Sequence, residues 1–490
     1  MTDQFFGLFN RFHASALHVL TTPLIDIELY MSSALGLAVN KIWCFIPKTS
    51  ILCLDFLVVR MSPSIALSDR PREDAHIEQP DVDDVEPNPD GGYGWVVIVV
   101  CFIHTFWQNA WTGSWGILQV ALLKTTLRGS SSSTVSFIGA LGIALSCALG
   151  IFTIRFARII GARWTSLIGI LLYSISNIVS AWAVSNVGAL FIACGFMYGL
   201  GACLMYTMSN SLPIQWFSTK LGTANGIVKL GGGIGATVMA IVTSVLTDKL
   251  GIVWTFRIFG LLSLVTGVPP AFFIRERVSS QRSFEIDWSL FKNVAFSFLF
   301  ASGVVGVFSI YAPPFFLPAV TASLGFSDWV SAGVVACFNA CMAIGRLTSG
   351  FACDRFGSMN VLLLTMAVNA VTMFAIWSFA STLAVLIVFS VINGLANGSF
   401  FVALPTAVGR LAGERRGAGA VSIALTGWAP GLLVGNPIAG FLIDATGASS
   451  SHSIVPYRPA IFYVAGTAVL SLTFVVAARL SVDGRVARKL

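Results

Sequence analysis

The strongest constraint on this chain is a series of long apolar runs that begins at Gly94 and recurs along the rest of the sequence. Each run is about 20 residues long, the length that an α-helix needs to cross the hydrocarbon core of a bilayer. Helices are expected because backbone groups in lipid must be hydrogen-bonded within the segment itself. We therefore predict an all-α membrane protein with twelve spans, at about 94–116, 133–154, 164–184, 187–211, 222–246, 252–273, 293–315, 329–351, 359–380, 382–407, 418–441 and 459–479.

The composition agrees with a membrane protein and argues against several other classes. Only 10% of the residues are charged, against about 25% in soluble domains. The net charge of +7 is spread between the apolar runs rather than gathered in a patch, so no nucleic-acid partner is expected. The nine cysteines lack metal-ligand spacing. We expect no metal, no cofactor and no enzymatic activity, and the absence of a Walker A sequence argues against ATP-driven pumping.

The loops between the spans differ in their content of lysine and arginine, which marks the cytoplasmic side. The poorer set contains Lys124, Arg128, Lys249 and Arg458. The richer set, predicted to be cytoplasmic together with both termini, contains Arg155, Arg158, Arg163, Lys220, Arg275, Arg277, Arg282, Lys292, Arg355, Arg410, Arg415, Arg416, Arg485, Arg488 and Lys489.

The chain divides into segments of different character. Residues 1–60 are an uncertain N-terminal extension, either a gene-model artefact that precedes a true start at Met61 or an additional segment with interfacial helices. Residues 61–90 have the acidic, proline-containing composition of a disordered cytoplasmic tail. The remaining predicted segments are a six-helix bundle at 91–273, a cytoplasmic linker at 274–292, a second six-helix bundle at 293–480, and a cytoplasmic tail at 481–490.

Three motifs resemble a known transporter family. DGGYGW leads directly into the first span and consists of Asp90, Gly91, Gly92, Tyr93, Gly94 and Trp95. QWFSTKLGTANGIVKLGGGIG occupies 215–235, and GRLTSGFACDRFG occupies 345–357. Together they resemble the monocarboxylate transporter family, in its fungal branch, within the major facilitator superfamily, and DGGYGW resembles the signature motif of that family. The resemblance covers about residues 90–480, and the third motif is typical of the whole superfamily.

The resemblance implies a twelve-helix rocker-switch fold in two pseudo-repeats of six. It also implies a central cavity lined mainly by helices one, four, seven and ten, with contributions from five, eight and eleven. Two departures argue against lactate–proton symport of the animal type. Gly113 stands near the place of a lysine in the first helix, and Met342 stands where an aspartate precedes Arg346 by one turn.

Polar side chains within the predicted spans are candidates for the cavity, because a polar group in hydrocarbon is costly unless it is paired. Arg346 is interpreted as the one cation deep in a span, where it either binds a substrate carboxylate or joins a gating network with Asp354 and Arg355. The candidate substrate-binding residues are Arg346, Asn339, Gln108, Asn109, Trp111, Tyr206, Asn210, Tyr311, Asn393 and Asn397. For all except Arg346, contact between helices is an equally good interpretation, and for Trp111 so is an aromatic belt at the membrane boundary.

Other residues have predicted roles outside the cavity. Trp115 is expected in the aromatic belt, Arg257 at the membrane interface, and His104 in a helix–helix contact rather than a proton relay. The candidate gating residues are Arg158, Lys220, Asp354, Arg355 and Arg415. The candidate helix-packing glycines are Gly222, Gly226, Gly231 and Gly235, whose spacing of four allows close approach of helices.

These observations predict a secondary active or facilitative transporter of a small solute, either a monocarboxylate or a similar organic metabolite. The alternative is a carrier of a flat neutral metabolite such as riboflavin or a secondary metabolite, and a non-transporting membrane sensor is less favoured. The predicted partners are the solute, protons as a candidate coupling ion, and the lipid bilayer; the sequence does not identify an ancillary subunit. The plasma membrane is the preferred location, with the vacuolar or another internal membrane as the alternative.

Overall fold

The computed structural model describes residues 90–130, 132–277, 286–446 and 453–483. The predictions for residues 1–60, for most of 61–90, for Arg282 and for 484–490 lie outside these residues. Across the described residues the secondary structure is helical, with no β-strand. This confirms the all-α fold class.

Thirteen helices of the described chain, numbered here in chain order, make up the fold. Two of them contain a π-helical turn, at Phe191–Met197 in α5 and at Thr372–Ile376 in α10. The bounds are α1 Gly94–Lys124, α2 Ser132–Ala148, α3 Gly150–Ile160, α4 Ala162–Ala183, α5 Val187–Trp216, α6 Leu221–Lys249, α7 Gly251–Ala271, α8 Val294–Ser323, α9 Asp328–Phe356, α10 Ser358–Phe379, α11 Leu383–Thr426, α12 Ala429–Ala445 and α13 Arg458–Val482.

Ten helical stretches of the described chain are long and apolar enough to cross a membrane, and the count is eleven when the bent pair α2 and α3 is taken as one. The predicted second span is therefore broken, since α2 and α3 meet at a bend of 53°. Leu149 lies between them with φ −95° and ψ 17°. Long runs of apolar residues predict length and hydrophobicity but give no signal for such a bend.

The predicted loop at 408–417 is mostly helical, and α11, 44 residues long in all, consists of two helices that meet at a kink within this segment. Together with α12 it forms a 61-residue apolar stretch. Gly413 interrupts the helical backbone with φ 73° and ψ 175°, a conformation that glycine adopts at little cost. The residues around Gly413 are mostly alanine, leucine, glutamate and arginine, which favour helix, so the polar segment did not become an open loop.

Close approach at glycine brings α6 against two neighbours on opposite sides. A Cβ at Gly226 would lie 2.9 Å from the backbone oxygen of Arg346 on α9. A Cβ at Gly231 or Gly235 would instead collide with the backbone oxygen of Phe102 or Phe106 on α1. The glycine stripe of α6 thus lets one helix pack tightly on both sides.

The DGGYGW segment anchors the start of α1. The Asp90 carboxylate accepts hydrogen bonds from the backbone N–H groups of Ser218, Thr219 and Lys220 at 2.8, 3.0 and 3.2 Å. The Tyr93 hydroxyl donates to the backbone oxygen of Phe273 at 2.7 Å. This motif therefore ties the entry of α1 to the segment between α5 and α6 and to the end of α7.

The same segment has unusual backbone angles that fit its residue types. Asp90 has φ 48° and Gly92 has φ 59°, the left-handed region that aspartate tolerates and glycine adopts freely. A Cβ at Gly92 would meet no atom within 4 Å. The glycine is needed there for its backbone conformation and not for space.

The remaining motif residues form the turn that leads into α1 and its first contacts. Gly91 has a backbone role, since its oxygen accepts the N–H of Gly94 at 3.2 Å. A Cβ at Gly94 would lie 2.9 Å from that of Trp216, and the Trp95 ring lies 4.8 Å from that of Phe217. These residues shape and pack the entry of α1 against the end of α5.

Candidate functional site

A narrow internal cavity lies between the N-terminal helices α1–α7 and the C-terminal helices α8–α13. Its volume is about 30 Å³, enough for about two water molecules. It has to widen before it can hold an organic solute. The lining side chains are Gln108, Asn109, Thr112, Ile143, Ser146, Cys147, Tyr206, Lys229, Tyr311, Arg346, Phe401 and Leu432.

Arg346 reaches the cavity from α9 and is 5% exposed. Its Nη1 donates to the backbone oxygen of Lys229 at 3.1 Å, and its Nη2 lies 3.8 Å from the sulfur of Met342. The guanidinium carbon lies 5.2 Å from the centre of the Phe401 ring, within reach of a cation–π interaction. The partners of Arg346 are thus a backbone carbonyl, a thioether and an aromatic face.

Lys229 on α6 is a second buried cation in the same cavity, and the sequence interpretation missed it. Its side chain is 3% exposed, and its Nζ lies 4.0 Å from the centre of the Tyr206 ring. Lys229 stands eight residues beyond the start of α6 at Leu221, about 12 Å along the helix axis. The interpretation of Arg346 as the single deep cation was therefore wrong.

Three polar atoms of the cavity wall lack a protein hydrogen-bond partner within the described chain: Lys229 Nζ, Arg346 Nε and Gln108 Oε1. Among the described residues, no aspartate or glutamate lines the cavity. Two like charges in a low-dielectric interior disfavour each other, and each is costly without a counter-charge. The described lining thus contains two basic side chains and no acidic one.

Five of the ten predicted substrate-binding residues line this cavity: Arg346, Gln108, Asn109, Tyr206 and Tyr311. The amide of Asn109 donates to the backbone oxygen of Thr105 at 3.1 Å. The Tyr311 and Phe401 rings meet edge to face at 5.8 Å. Helices α1, α5 and α8 bring these side chains together with Arg346.

The other five predicted residues are not among the lining side chains of the described cavity. Asn393 donates to the Thr372 hydroxyl at 2.8 Å, and Asn397 to the backbone oxygen of Ile310 at 2.6 Å, so both join neighbouring helices as the alternative interpretation stated. The amide of Asn210 donates within its own helix to the backbone oxygen of Tyr206 at 2.6 Å. Asn339 is half-buried on α9.

Trp111, the fifth of these, lies in the core of the N-terminal helices. Its ring stacks on Tyr198 at 3.7 Å and on Trp115 at 4.8 Å. Trp111 is fully buried and Trp115 is 6% exposed. The aromatic-belt prediction for Trp115 is therefore wrong, because mutual stacking draws both rings inward.

His104 and Arg257 lie outside the cavity wall. His104 is buried, and its Nε2 has no hydrogen-bond partner among the described residues. Arg257 is half-buried, with its guanidinium carbon 5.0 Å from the Trp254 ring and 5.8 Å from the Trp182 ring. Neither residue belongs to the described lining.

A second polar cluster surrounds Asp354 near the end of α9. The carboxylate accepts the backbone N–H of Gly222 at 2.8 Å, and the backbone N–H and hydroxyl of Thr223 at 2.7 and 2.6 Å. Arg410 of α11 pairs with Asp354 at 2.6 Å and also donates to the backbone oxygen of Cys353 at 2.9 Å. Asp354 thus joins α9 and α11 to the first turn of α6, where a carboxylate stabilises the exposed N–H groups.

The four predicted gating cations are not ion-pair partners of Asp354 in the described part of the chain. The side chains of Arg158, Lys220, Arg355 and Arg415 are exposed, and the guanidinium of Arg355 lies 5.5 Å from the Phe356 ring. Arg410, which the sequence analysis assigned to orientation alone, is the cation that pairs with Asp354. Its position was a usable signal, because Arg410 lies near the end of the long predicted span 382–407 and just before the sequence GERR at 413–416.

The linker contributes an ion pair of its own. Asp287 precedes a short 3-10 helix, Trp288–Lys292, and pairs with Arg416 at 3.2 Å. Hydrogen bonds from Ser289, together with Arg416, hold the pKa of Asp287 below its usual value. Within the described residues, no group of three His, Cys, Asp or Glu side chains is placed to hold a metal ion.

Comparison with known proteins agrees with this fold. The sequence profile described as Major Facilitator Superfamily matches residues 100–339 and 299–489. Similar curated proteins include MFS-type transporter 1 of Ophiocordyceps sp., 24% identical over 84% of this chain and 91% of that protein. MFS transporter asaE of Aspergillus flavus is 25% identical, over 80% and 88%. The aspyridones efflux protein apdF of Emericella nidulans is 25% identical, over 77% of each.

Solved structures share the fold at low sequence identity. The human organic anion transporter MFSD10 (TETRAN) has a TM-score of 0.64 and 14% identity, covering 79% of this chain and all of that one. The fucose:proton symporter FucP of E. coli has a TM-score of 0.59 and 14% identity, covering 78% and 99%. Likenesses at this level of identity concern the fold alone.

Proposed function

The chain belongs to the Major Facilitator Superfamily and is a membrane transporter, and from this premise we propose that it carries a small organic anion by rocker-switch alternating access. The observation that carries the proposal is the cavity between the N- and C-terminal helices, in which Lys229 and Arg346 are buried without a carboxylate in the described lining. A solute carboxylate would supply the missing counter-charge and accept the free donors. Arg346 is proposed as its principal ligand.

The proposed architecture is twelve crossings in two six-helix bodies, at 91–273 and 293–480, joined by the linker at 274–292. A 61-residue apolar stretch is about three times the length that one crossing needs. The break at Gly413 supports a division of that stretch into two crossings. Counting α2 and α3 as one further crossing then gives twelve.

The two proposed bodies would expose the cavity to one side of the membrane and then to the other, by separating first at one end and then at the opposite end. Asp354 and the glycine contacts between α6 and α9 support a closed end on the side of the cation-rich loops. By the distribution of loop cations, that side is proposed as cytoplasmic, with both termini on it and the plasma membrane as the location. The cavity is proposed to open first toward the opposite side.

The proposed subgroup is the fungal branch of the monocarboxylate transporter-like proteins. Asp90 of the DGGYGW segment accepts hydrogen bonds from the Ser218–Lys220 segment, and these bonds between two of the three motifs support a structural role for both. Met342 at the place of an acidic residue argues against the animal coupling scheme. Proton coupling stays a candidate, since solved relatives of the fold include proton symporters.

A second candidate is efflux of a flat metabolite, neutral or weakly anionic. The fungal relatives include a protein named for efflux of aspyridones, and the rings of Tyr206, Tyr311 and Phe401 line the cavity. Such rings would stack on a planar solute. The two buried cations favour the anion over a neutral solute.

The deciding experiment is uptake by the purified protein in liposomes of labelled lactate, pyruvate, nicotinate and riboflavin, with and without a pH gradient. The proposal expects saturable uptake of at least one carboxylate and weaker uptake of riboflavin. Dependence of that uptake on an inward proton gradient would assign proton coupling. Transport of riboflavin with no carboxylate uptake would favour the second candidate and reject the first.

A further inference from the structure

The two buried cations of the cavity belong to different groups of helices. Lys229 stands on α6 among the N-terminal helices, and Arg346 stands on α9 among the C-terminal helices. The backbone of Lys229 accepts a hydrogen bond from Arg346 at 3.1 Å, so the two residues meet where the groups touch. Each side of the cavity therefore contributes one basic side chain.

Each cation also lies over an aromatic ring of its own group of helices. Lys229 Nζ is 4.0 Å from the Tyr206 ring, and the Arg346 guanidinium is 5.2 Å from the Phe401 ring. An aromatic face attracts a cation. It carries no negative charge to neutralise the cation, and it leaves the N–H donors without a hydrogen-bond acceptor. Lys229 Nζ and Arg346 Nε accordingly have no hydrogen-bond partner in the described protein.

Charge balance then separates two classes of solute. A monoanion bound to Arg346 would leave Lys229 buried and uncompensated, whereas a solute with two negative charges would offset both cations. Charged hydrogen bonds are stronger in a dry cavity than at a surface. We propose that the solute is a small dianion, such as a short dicarboxylate, and that Lys229 is the residue that selects it over a monoanion.

This inference rests on the proposed function and narrows its substrate class. One carboxylate would bind the Arg346 guanidinium in a fork, and the other would accept hydrogen bonds from Lys229 Nζ. Because the two cations stand on different groups of helices, the dianion would bridge the groups and reduce the repulsion between them as they close. A short solute fits best, since the lining chains leave a narrow space.

The first test needs only the unmodified protein. Succinate, its monomethyl ester and butyrate have closely related chains and carry two, one and one negative charges at neutral pH. We measure the ability of each compound to raise the Tm of the purified protein in detergent and to compete for uptake in liposomes. The proposal expects succinate to bind at least about tenfold more tightly than either monoanion, because one extra charged hydrogen bond separates them.

The second test uses Lys229→Met, which keeps a long apolar stem and removes the charge. Its control is Lys124→Met, which removes an exposed cation at the end of α1. We expect Lys229→Met to lose about tenfold or more in succinate affinity and to keep butyrate within about twofold. Lys124→Met is expected to leave both affinities unchanged, and Lys229→Gln, which keeps a polar end, is expected to follow Lys229→Met.

Each result decides the matter. Equal affinity for succinate and its monomethyl ester overturns the dianion proposal, as does a parallel loss of both ligands in Lys229→Met, while anion transport itself stands. If no carboxylate stabilises or enters with the unmodified protein, the proposed function fails and the dianion proposal with it.

Discussion

The carboxylate of Asp354 on α9 accepts the backbone N–H of Gly222 on α6 at 2.8 Å. The free N–H groups in the first turn of a helix favour a negative charge. A side chain of the C-terminal helices therefore completes the start of a helix among the N-terminal ones. The closed end proposed above would be held by this contact and by the ion pair of Asp354 with Arg410 at 2.6 Å.

Replacement of Asp354 with asparagine is expected to weaken the closed end. The change keeps the size of the side chain and removes the charge that both α6 and Arg410 meet. Loss of these charged hydrogen bonds costs about 1.5–3 kcal/mol, which shifts the balance away from the state closed at this end. The measurement is the rate of maleimide labelling at Cys353, which is buried beside Asp354, and labelling is expected to accelerate.

Asp287→Asn is the matched control, because it removes a different ion pair, formed with Arg416 at 3.2 Å. That pair is largely exposed, and exposed pairs contribute little to stability. Labelling of Cys353 is expected to stay at the unmodified rate in this variant. Equal acceleration in both variants would contradict the assigned role of Asp354.

The sequence located Asp354 but not its partners, for a physical reason. The motif GRLTSGFACDRFG places an acid and a cation side by side, and neighbouring residues on a helix do not face each other. Arg355 consequently points elsewhere and Arg410, distant in sequence, provides the charge. Such pairings depend on which faces of the helices pack together. The uniform hydrophobicity of the spans does not indicate these faces.

Asp90 is expected to make stability dependent on pH in the acid range. Partial burial opposes ionisation of this carboxyl, but hydrogen bonds from Thr219, Ser218 and Lys220 outweigh it and lower the pKa below 3.8. A carboxyl whose pKa is lower in the folded than in the unfolded protein stabilises the fold at any pH above its unfolded-state pKa. That stabilisation is lost as the pH falls through its folded-state pKa. The contribution is about 1 kcal/mol or less, since solvent screens the site.

The measurement compares Tm of the purified protein with that of Asp90→Asn, which cannot ionise. The difference between the two is expected to stay constant from about pH 7 to pH 5 and to shrink as the pH falls below about 4. A difference that is already shrinking near neutral pH would point to another titrating group. A difference that is constant throughout would show that the charge of Asp90 is unimportant.

Substitutions at two glycines of α6 are expected to have different effects, one mainly on folding and the other mainly on conformational exchange. Gly231→Ala places a Cβ against the backbone oxygen of Phe102 on α1, within the N-terminal group of helices. Such overpacking costs about 1–3 kcal/mol, so Tm and expression are expected to fall. Gly226→Ala instead crowds the Arg346 backbone on α9 and is expected to slow transport with a smaller loss of Tm.

Gly116→Ala provides the control, because a Cβ there meets no atom within 4 Å. Alanine is the better helix former, so this variant is expected to match or slightly exceed the unmodified Tm. If Gly231→Ala and Gly116→Ala have the same Tm, the close contact with α1 carries no energetic weight.

The span pattern was predictable because lipid imposes one length and one composition on every crossing. The direction in which each side chain faces was not, because these helices are apolar on all sides. Asn393 and Asn397 are one turn apart on α11, yet one contacts Thr372 and the other the backbone of Ile310. Lys229 did leave a signal, since it lies well inside the predicted fifth span, and counting charges in each span would have found it.

Arg346→Gln is expected to abolish transport of an anionic solute and to spare a neutral one. The guanidinium is the proposed carboxylate ligand, and loss of one partner of a buried charged pair costs about 2–5 kcal/mol, which is about 30-fold to several thousand-fold in affinity. Arg257→Gln is the control, because that half-buried arginine lies over Trp254 outside the cavity wall. Uptake of lactate, succinate and riboflavin in liposomes distinguishes two roles for Arg346. Selective loss of the anions supports substrate binding, whereas equal loss of all three would assign Arg346 to the closing movement, through its hydrogen bond to the Lys229 backbone at 3.1 Å.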